Sequence, residues 1–135
     1  MTSLTGYSES RPLGVARDAG ERSLAGTIVL WGVQISAAAM VLFAGSLKLL
    51  GAAPMVQMFT VIGLGQWFRY VTGTIEVVSG VLLLVPSLAF FGAVALVPTM
   101  IGAIITHLFV IGGSPAPAIG LLAATSAVAW IRRPR

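Results

Sequence analysis

From Leu24 to Ile131 apolar residues run almost without interruption, divided into blocks by glycines, prolines and a few polar side chains. The first block covers residues 24–50 and holds only Gln34 and Lys48 as larger polar residues. Blocks of about 20 apolar residues match what an α-helix needs to cross a hydrocarbon core of roughly 30 Å. Residues 51–66 are too broken for a crossing: Pro54 and the Gly63/Gly65 pair bracket a short stretch in which Met55, Met58, Phe59 and Ile62 share a face. That pattern predicts an interfacial or re-entrant helix. Apolar spans resume at residues 67–86 and 89–111, joined by a tight hairpin at Pro86-Ser87. Gly112-Gly113-Ser114-Pro115 then closes one helix and opens the next, with serine as N-cap and proline at the first helical position, over residues 115–131. The predicted fold is all-α, an integral membrane four-helix bundle with a short interfacial helix between the first two spans.

Composition strengthens this reading. Of the 135 residues, 57% are hydrophobic and 9% charged, whereas a soluble domain carries about one quarter charged residues on its exterior. The mean hydropathy is +0.98. The net charge of +4 comes largely from the ends, with Arg11, Arg17 and Arg22 before the first span and Arg132, Arg133 and Arg135 after the last. This is the asymmetry of the positive-inside rule rather than a nucleic-acid footprint. Residues 1–23 therefore read as a polar cytoplasmic tail, with at most a short helix just before the membrane, residues 24–131 as the transmembrane domain, and residues 132–135 as a basic cytoplasmic end. An even number of spans places both termini in the cytoplasm of a cell (plasma) membrane protein that crosses several times. Trp31 and Trp130 then fall at the inner interface and Trp67 at the outer one. Ala37-Ala38-Ala39 resembles a signal-peptide cleavage site, but the apolar run continues well beyond it, which favours an uncleaved span. With no cysteine and a single histidine, the chain excludes thiolate metal sites, dithiol chemistry and bis-histidine haem ligation of its own; no intrinsic cofactor or metal is expected.

Between Ser23 and Arg132 the lysine, arginine, acidic and histidine residues number four: Lys48, Arg69, Glu76 and His107. An ionisable group at membrane depth is costly, about 2.5–3.5 kcal/mol at a helix centre, and is a candidate functional residue for that reason. Counting along the predicted helices places all four in the outer half of the bilayer. Gln34, Ala38, Val41, Gly45 and Lys48 recur at helical spacing. So do Arg69, Thr72 with Gly73, Glu76, and Ser79 with Gly80, and a looser stripe joins Thr99, Ala103, Thr106 and His107. Small residues allow close helix approach and polar ones bond across it. The stripes predict one polar cluster of Lys48, Arg69, Glu76 and His107, supported by Gln34, Thr72, Gly73, Gly80 and Thr106. Each has a plainer alternative: Lys48 and Arg69 can snorkel to headgroups, and His107 can bond a nearby carbonyl or threonine. Glu76 is too short and too deep to snorkel, though its role can be purely structural. Pro98 removes one backbone bond from the third span and predicts a kink there.

The segment from Lys48 to Pro115 resembles the DoxX-like family of small four-helix bacterial membrane proteins. The resemblance rests on Gly45-Ser46-Leu47-Lys48-Leu49, on Ile62-Gly63-Leu64-Gly65-Gln66-Trp67-Phe68-Arg69-Tyr70 with Thr72-Gly73, Glu76 and Gly80, and on Thr106-His107-Leu108-Phe109 with Gly112-Gly113-Ser114-Pro115. The family takes its name from a subunit of a terminal quinol oxidase that also serves thiosulfate:quinone oxidoreduction. The resemblance implies an accessory subunit of a quinone-linked membrane redox system rather than an enzyme on its own. A quinone or a lipid is the implied ligand class, and other redox subunits or a second copy the implied partners besides the bilayer. Two further readings stand beside it: a non-catalytic assembly or binding module, and a small-solute transporter acting as a dimer.

Overall fold

The structure, a computed structural model, describes residues 13–134; the beginning of the predicted polar tail and Arg135 lie outside the described residues. Five α-helices follow in order: α1 (Leu13–Leu50), α2 (Ala53–Ile62), α3 (Gln66–Leu83), α4 (Ala89–Thr106) and α5 (Ala116–Arg132). A π-helical stretch, His107–Ile111, continues α4. No strand occurs among the described residues. Two segments, Ser23–Leu50 and Ala89–Ile111, are long and apolar enough to cross a membrane. By the same measure α3 is diluted by Arg69 and Glu76, and α5, at 17 residues, is one residue short.

Helix begins at Leu13 and runs unbroken for 38 residues, so α1 takes in the end of the polar segment, where the sequence suggested a short helix just before the membrane. The segment from Leu13 to Ser23 holds two alanines, two arginines, a leucine and a glutamate, all good helix formers, against two glycines. Extending an existing helix also avoids the costly nucleation step. α2 corresponds to the predicted short amphipathic helix. It buries Phe59, half-buries Met55, Met58 and Ile62, and exposes Gln57, Thr60 and Val61. Gly63 ends it at φ 78°, its N–H donating to the Phe59 carbonyl at 3.3 Å. That left-handed cap suits glycine. The hairpin after α3 is closed by Val85 N–H donating to the Leu82 carbonyl and Leu88 N–H to that of Val85. Its helix stops at Leu83 rather than Pro86. The opening of α5 is likewise shifted one residue: Ser114 Oγ accepts from the Ala116 N–H at 3.3 Å.

α1 packs against α3, α3 against α4, α4 against α5, and α5 returns to α1. The seams are made of small residues. A Cβ placed on Gly45 would lie 2.9 Å from the Gly73 carbonyl oxygen, and one on Gly92 would lie 2.8 Å from that of Ser79. At those points the helix backbones touch. It is the exterior that departs from a soluble fold. Leu50 is 83% and Phe109 80% exposed, while Gln34, Arg69, Glu76, Ser79 and Thr125 are buried among apolar residues such as Val41, Leu83 and Leu96. Apolar bulk outside, with a few polar groups inside, is the distribution expected of helices solvated by lipid.

Candidate functional site

Lys48 lies in the last turn of α1, and Glu76 faces it from the middle of α3. Gly45 and Gly73 let the two helices meet closely enough for these side chains to join. Lys48 Nζ donates to Glu76 Oε2 at 2.7 Å, and Glu76 is only 4% exposed. The short carboxylate is thus fixed by a flexible cation reaching across the seam.

Arg69, also 4% exposed, joins the cluster without bonding Glu76. Its Nη1 donates to the Lys48 carbonyl oxygen, one of the terminal carbonyls that α1 cannot satisfy internally. The Gly51 N–H donates to that same oxygen at 3.3 Å. The guanidinium is therefore a cap for α1, where a positive charge also meets the negative end of the helix dipole. Its Nε donates to Gln66 Oε1 at 2.7 Å, and its Cζ lies 4.3 Å from the Tyr70 ring centroid. Gln66 in turn donates to the Val56 carbonyl at 3.1 Å and to Thr60 Oγ1 at 3.2 Å. One chain of contacts, Glu76–Lys48–Arg69–Gln66, ties α1, α3 and α2 together. Gln66→Ala is expected to free α2, with its amides exchanging roughly tenfold faster for bonds worth about 1–2 kcal/mol, read by hydrogen exchange. An unchanged rate would mean that Phe59 and Phe68, with ring centroids 5.9 Å apart, suffice to hold α2.

The other expected members lie elsewhere. His107 Nδ1 is paired with the Gly112 carbonyl at 3.1 Å, closing the end of the π-helical stretch, and makes no bond to Lys48, Arg69 or Glu76. Thr106 donates back to the Gly102 carbonyl at 2.8 Å, and Thr72 to that of Phe68 at 3.0 Å, each within its own helix. Gly73 and Gly80 act by allowing close approach, Gly80 against Leu42.

Gln34 belongs to a second node. It lies fourteen residues before Lys48, about 21 Å along the helix. Fully buried, it donates through Nε2 to the Leu83 carbonyl at the end of α3 and accepts from Arg132 Nε at 3.3 Å. The Arg132 guanidinium lies 5.6 Å from the Trp31 ring centroid, and that of Arg133 lies 4.2 Å from the Trp130 ring. Sequence reasoning missed this node, because Arg132 read as a topological charge. The signal was available in spacing, since Gln34 and Lys48 are too far apart on one helix for a single cluster.

Chemically the Lys48–Arg69–Glu76 cluster is closed. Every buried side-chain nitrogen or oxygen among the described residues has a hydrogen-bond partner. No group of three or more histidine, aspartate or glutamate side chains gathers there to hold a metal.

The sequence profile described as the DoxX-like family matches residues 32–131, a span that takes in Lys48, Arg69, Glu76 and Gln34 and stops one residue before Arg132. No curated protein sequence and no solved structure matches the chain.

Proposed function

The chain belongs to the DoxX-like family, and from that premise we propose that it is a non-catalytic accessory subunit that docks onto a larger quinone-linked redox assembly in the bacterial plasma membrane. α1, α3, α4 with its π-helical extension, and α5 cross the bilayer in this reading. Both ends of the chain face the cytoplasm, as the arginines at both ends favour. α2 lies at the outer interface, where its apolar face meets α3 and the π-helical stretch.

The observation that carries the proposal is the saturation of the Lys48–Glu76–Arg69 cluster. A proton-exchanging or ligand-binding group needs an open partner or a space beside it, whereas here the carboxylate is taken by Lys48 and Arg69 caps a helix. Such a network fixes the bundle, and a fixed bundle with an apolar exterior suits a docking role. The redox association is the family's contribution to the proposal.

The test is isolation of the tagged chain from native membranes in mild detergent, with quinone and lipid extracted from the same sample. A stoichiometric membrane redox subunit is expected, and it should be retained by the charge-free double variant Lys48→Met/Glu76→Met. A chain that emerges with stoichiometric quinone and no protein partner would overturn the proposal. Loss of the partner from a folded double variant would give the ion pair a direct part in docking, against the reading of a purely internal lock.

A further inference from the structure

Away from the Lys48–Glu76 pair, α1 and α5 part to leave an open apolar groove of about 520 Å³. Gly32, Val33 and Ser36 wall it on α1, and Gly120, Leu121 and Ala124 on α5. No atom lies within 4 Å of where a Cβ on Gly32 or Gly120 would sit, so the two glycines leave real space. The same two helices carry the second polar node. Trp31 directly precedes Gly32, and Arg132 follows Ala124 by eight residues, about 12 Å along α5.

We propose that this groove and the two arginines at the end of α5 form a binding site for one anionic glycerophospholipid, an acyl chain in the groove and the phosphate on Arg132 and Arg133. The charge at this end is positive and preorganised. Arg132 is held by buried Gln34, and each guanidinium lies over a tryptophan face. Neither Glu21 nor Glu76, the two carboxylates whose side chains are described, pairs with either guanidinium. Arginine offers a forked set of donors suited to phosphate, and basic pockets between membrane helices recognise anionic headgroups. Tryptophan settles at headgroup level, which places the arginines where a phosphate would be. A second copy fits less well. Symmetric pairing would set groove against groove and cation against cation, filling neither.

The experiment is native mass spectrometry of the delipidated chain, titrated with phosphatidylglycerol, with phosphatidylcholine of the same acyl chains, or with inorganic phosphate. One retained phosphatidylglycerol per chain is expected, with phosphatidylcholine and free phosphate retained weakly. Each interfacial cation is worth roughly fivefold in affinity for anionic lipid, so Arg133→Gln should weaken retention about fivefold and Arg132→Gln/Arg133→Gln about 25-fold. Gly120→Leu projects into the groove from a Cβ position with no atom within 4 Å and should abolish retention. Gly102→Leu, equally free of neighbours but outside the groove, should bind as wild type. Equal retention of the two lipids, undiminished binding by Gly120→Leu, or free phosphate binding as well as lipid would overturn the proposal. A dimer that survives delipidation and is split by Gly120→Leu would assign the groove to a second copy, and would overturn it as well.

Discussion

Glu76→Gln is expected to lower the stability of the folded chain by about 3 kcal/mol, the lower end of what breaking a buried ion pair costs. The substitution leaves the carboxylate's hydrogen-bonding shape nearly intact but strands the Lys48 ammonium at the α1–α3 seam. Lys48 has a long stem and is 13% exposed at its side chain, so part of the loss is recovered by reaching outward. Lys48→Met alone strands the opposite charge on a shorter, deeper side chain and is expected to cost at least as much. The double variant Lys48→Met/Glu76→Met removes both charges and should return to within about 1 kcal/mol of the parent, because apolar replacement of a buried pair is often neutral. Unfolding by SDS titration in mixed micelles measures all three, with exposed Gln57→Ala as the reference. If Glu76→Gln unfolds with the reference, the ion pair contributes nothing to holding α1 on α3.

The second large effect is steric. Gly92→Ala should destabilise by about 2–3 kcal/mol, the cost of overpacking a close seam. Its new methyl would lie 2.8 Å from the Ser79 carbonyl oxygen, 2.9 Å from Leu82 Cβ and 3.2 Å from the Leu83 nitrogen. Two of those three atoms are backbone, which cannot rotate away, so α3 and α4 must separate. Gly45→Ala meets the Gly73 carbonyl at 2.9 Å and Glu76 Cβ at 3.0 Å and should cost a similar amount, while also lengthening the Lys48–Glu76 bond. Gly102→Ala meets no atom within 4 Å and should fall within about 0.5 kcal/mol of the parent. The same SDS titration reads this series. Equal behaviour of Gly92→Ala and Gly102→Ala would show that the α3–α4 seam is looser than its geometry implies.

Most of the helix plan could be read from the chain because its punctuation is chemical. Gly51, Gly63, Gly65, Gly112 and Gly113 all have positive φ and sit where the apolar blocks break. The i, i+3, i+4 recurrence of Arg69, Gly73, Glu76 and Gly80 correctly placed those residues on the buried face of α3. What periodicity could not supply was the choice of partner. Stripe and depth allowed Glu76 to meet Lys48, Arg69 or His107 equally. The outcome was decided by the Lys48 carbonyl at the end of α1, which lacks a partner within the helix and drew Arg69 away, and by the π-helical turn, whose terminal carbonyl engaged His107. Unsatisfied backbone groups are set by where helices stop, and one residue of uncertainty in a boundary changes which carbonyl is left free. Gln34 shows the complementary failure: its face was right and its height was ignored.

The unbroken length of α1 has a mechanical meaning. Its 38 residues make a rod of about 57 Å, nearly twice a hydrocarbon core of roughly 30 Å. Such a rod transmits rotation as well as position. One residue added near Gly26 would turn everything before it by about 100° relative to the α1–α3 seam, whereas seven added residues would restore the heading to within about 20°. The angular bearing of the leading segment is therefore geared, residue by residue, to the faces that carry Gln34 and Lys48.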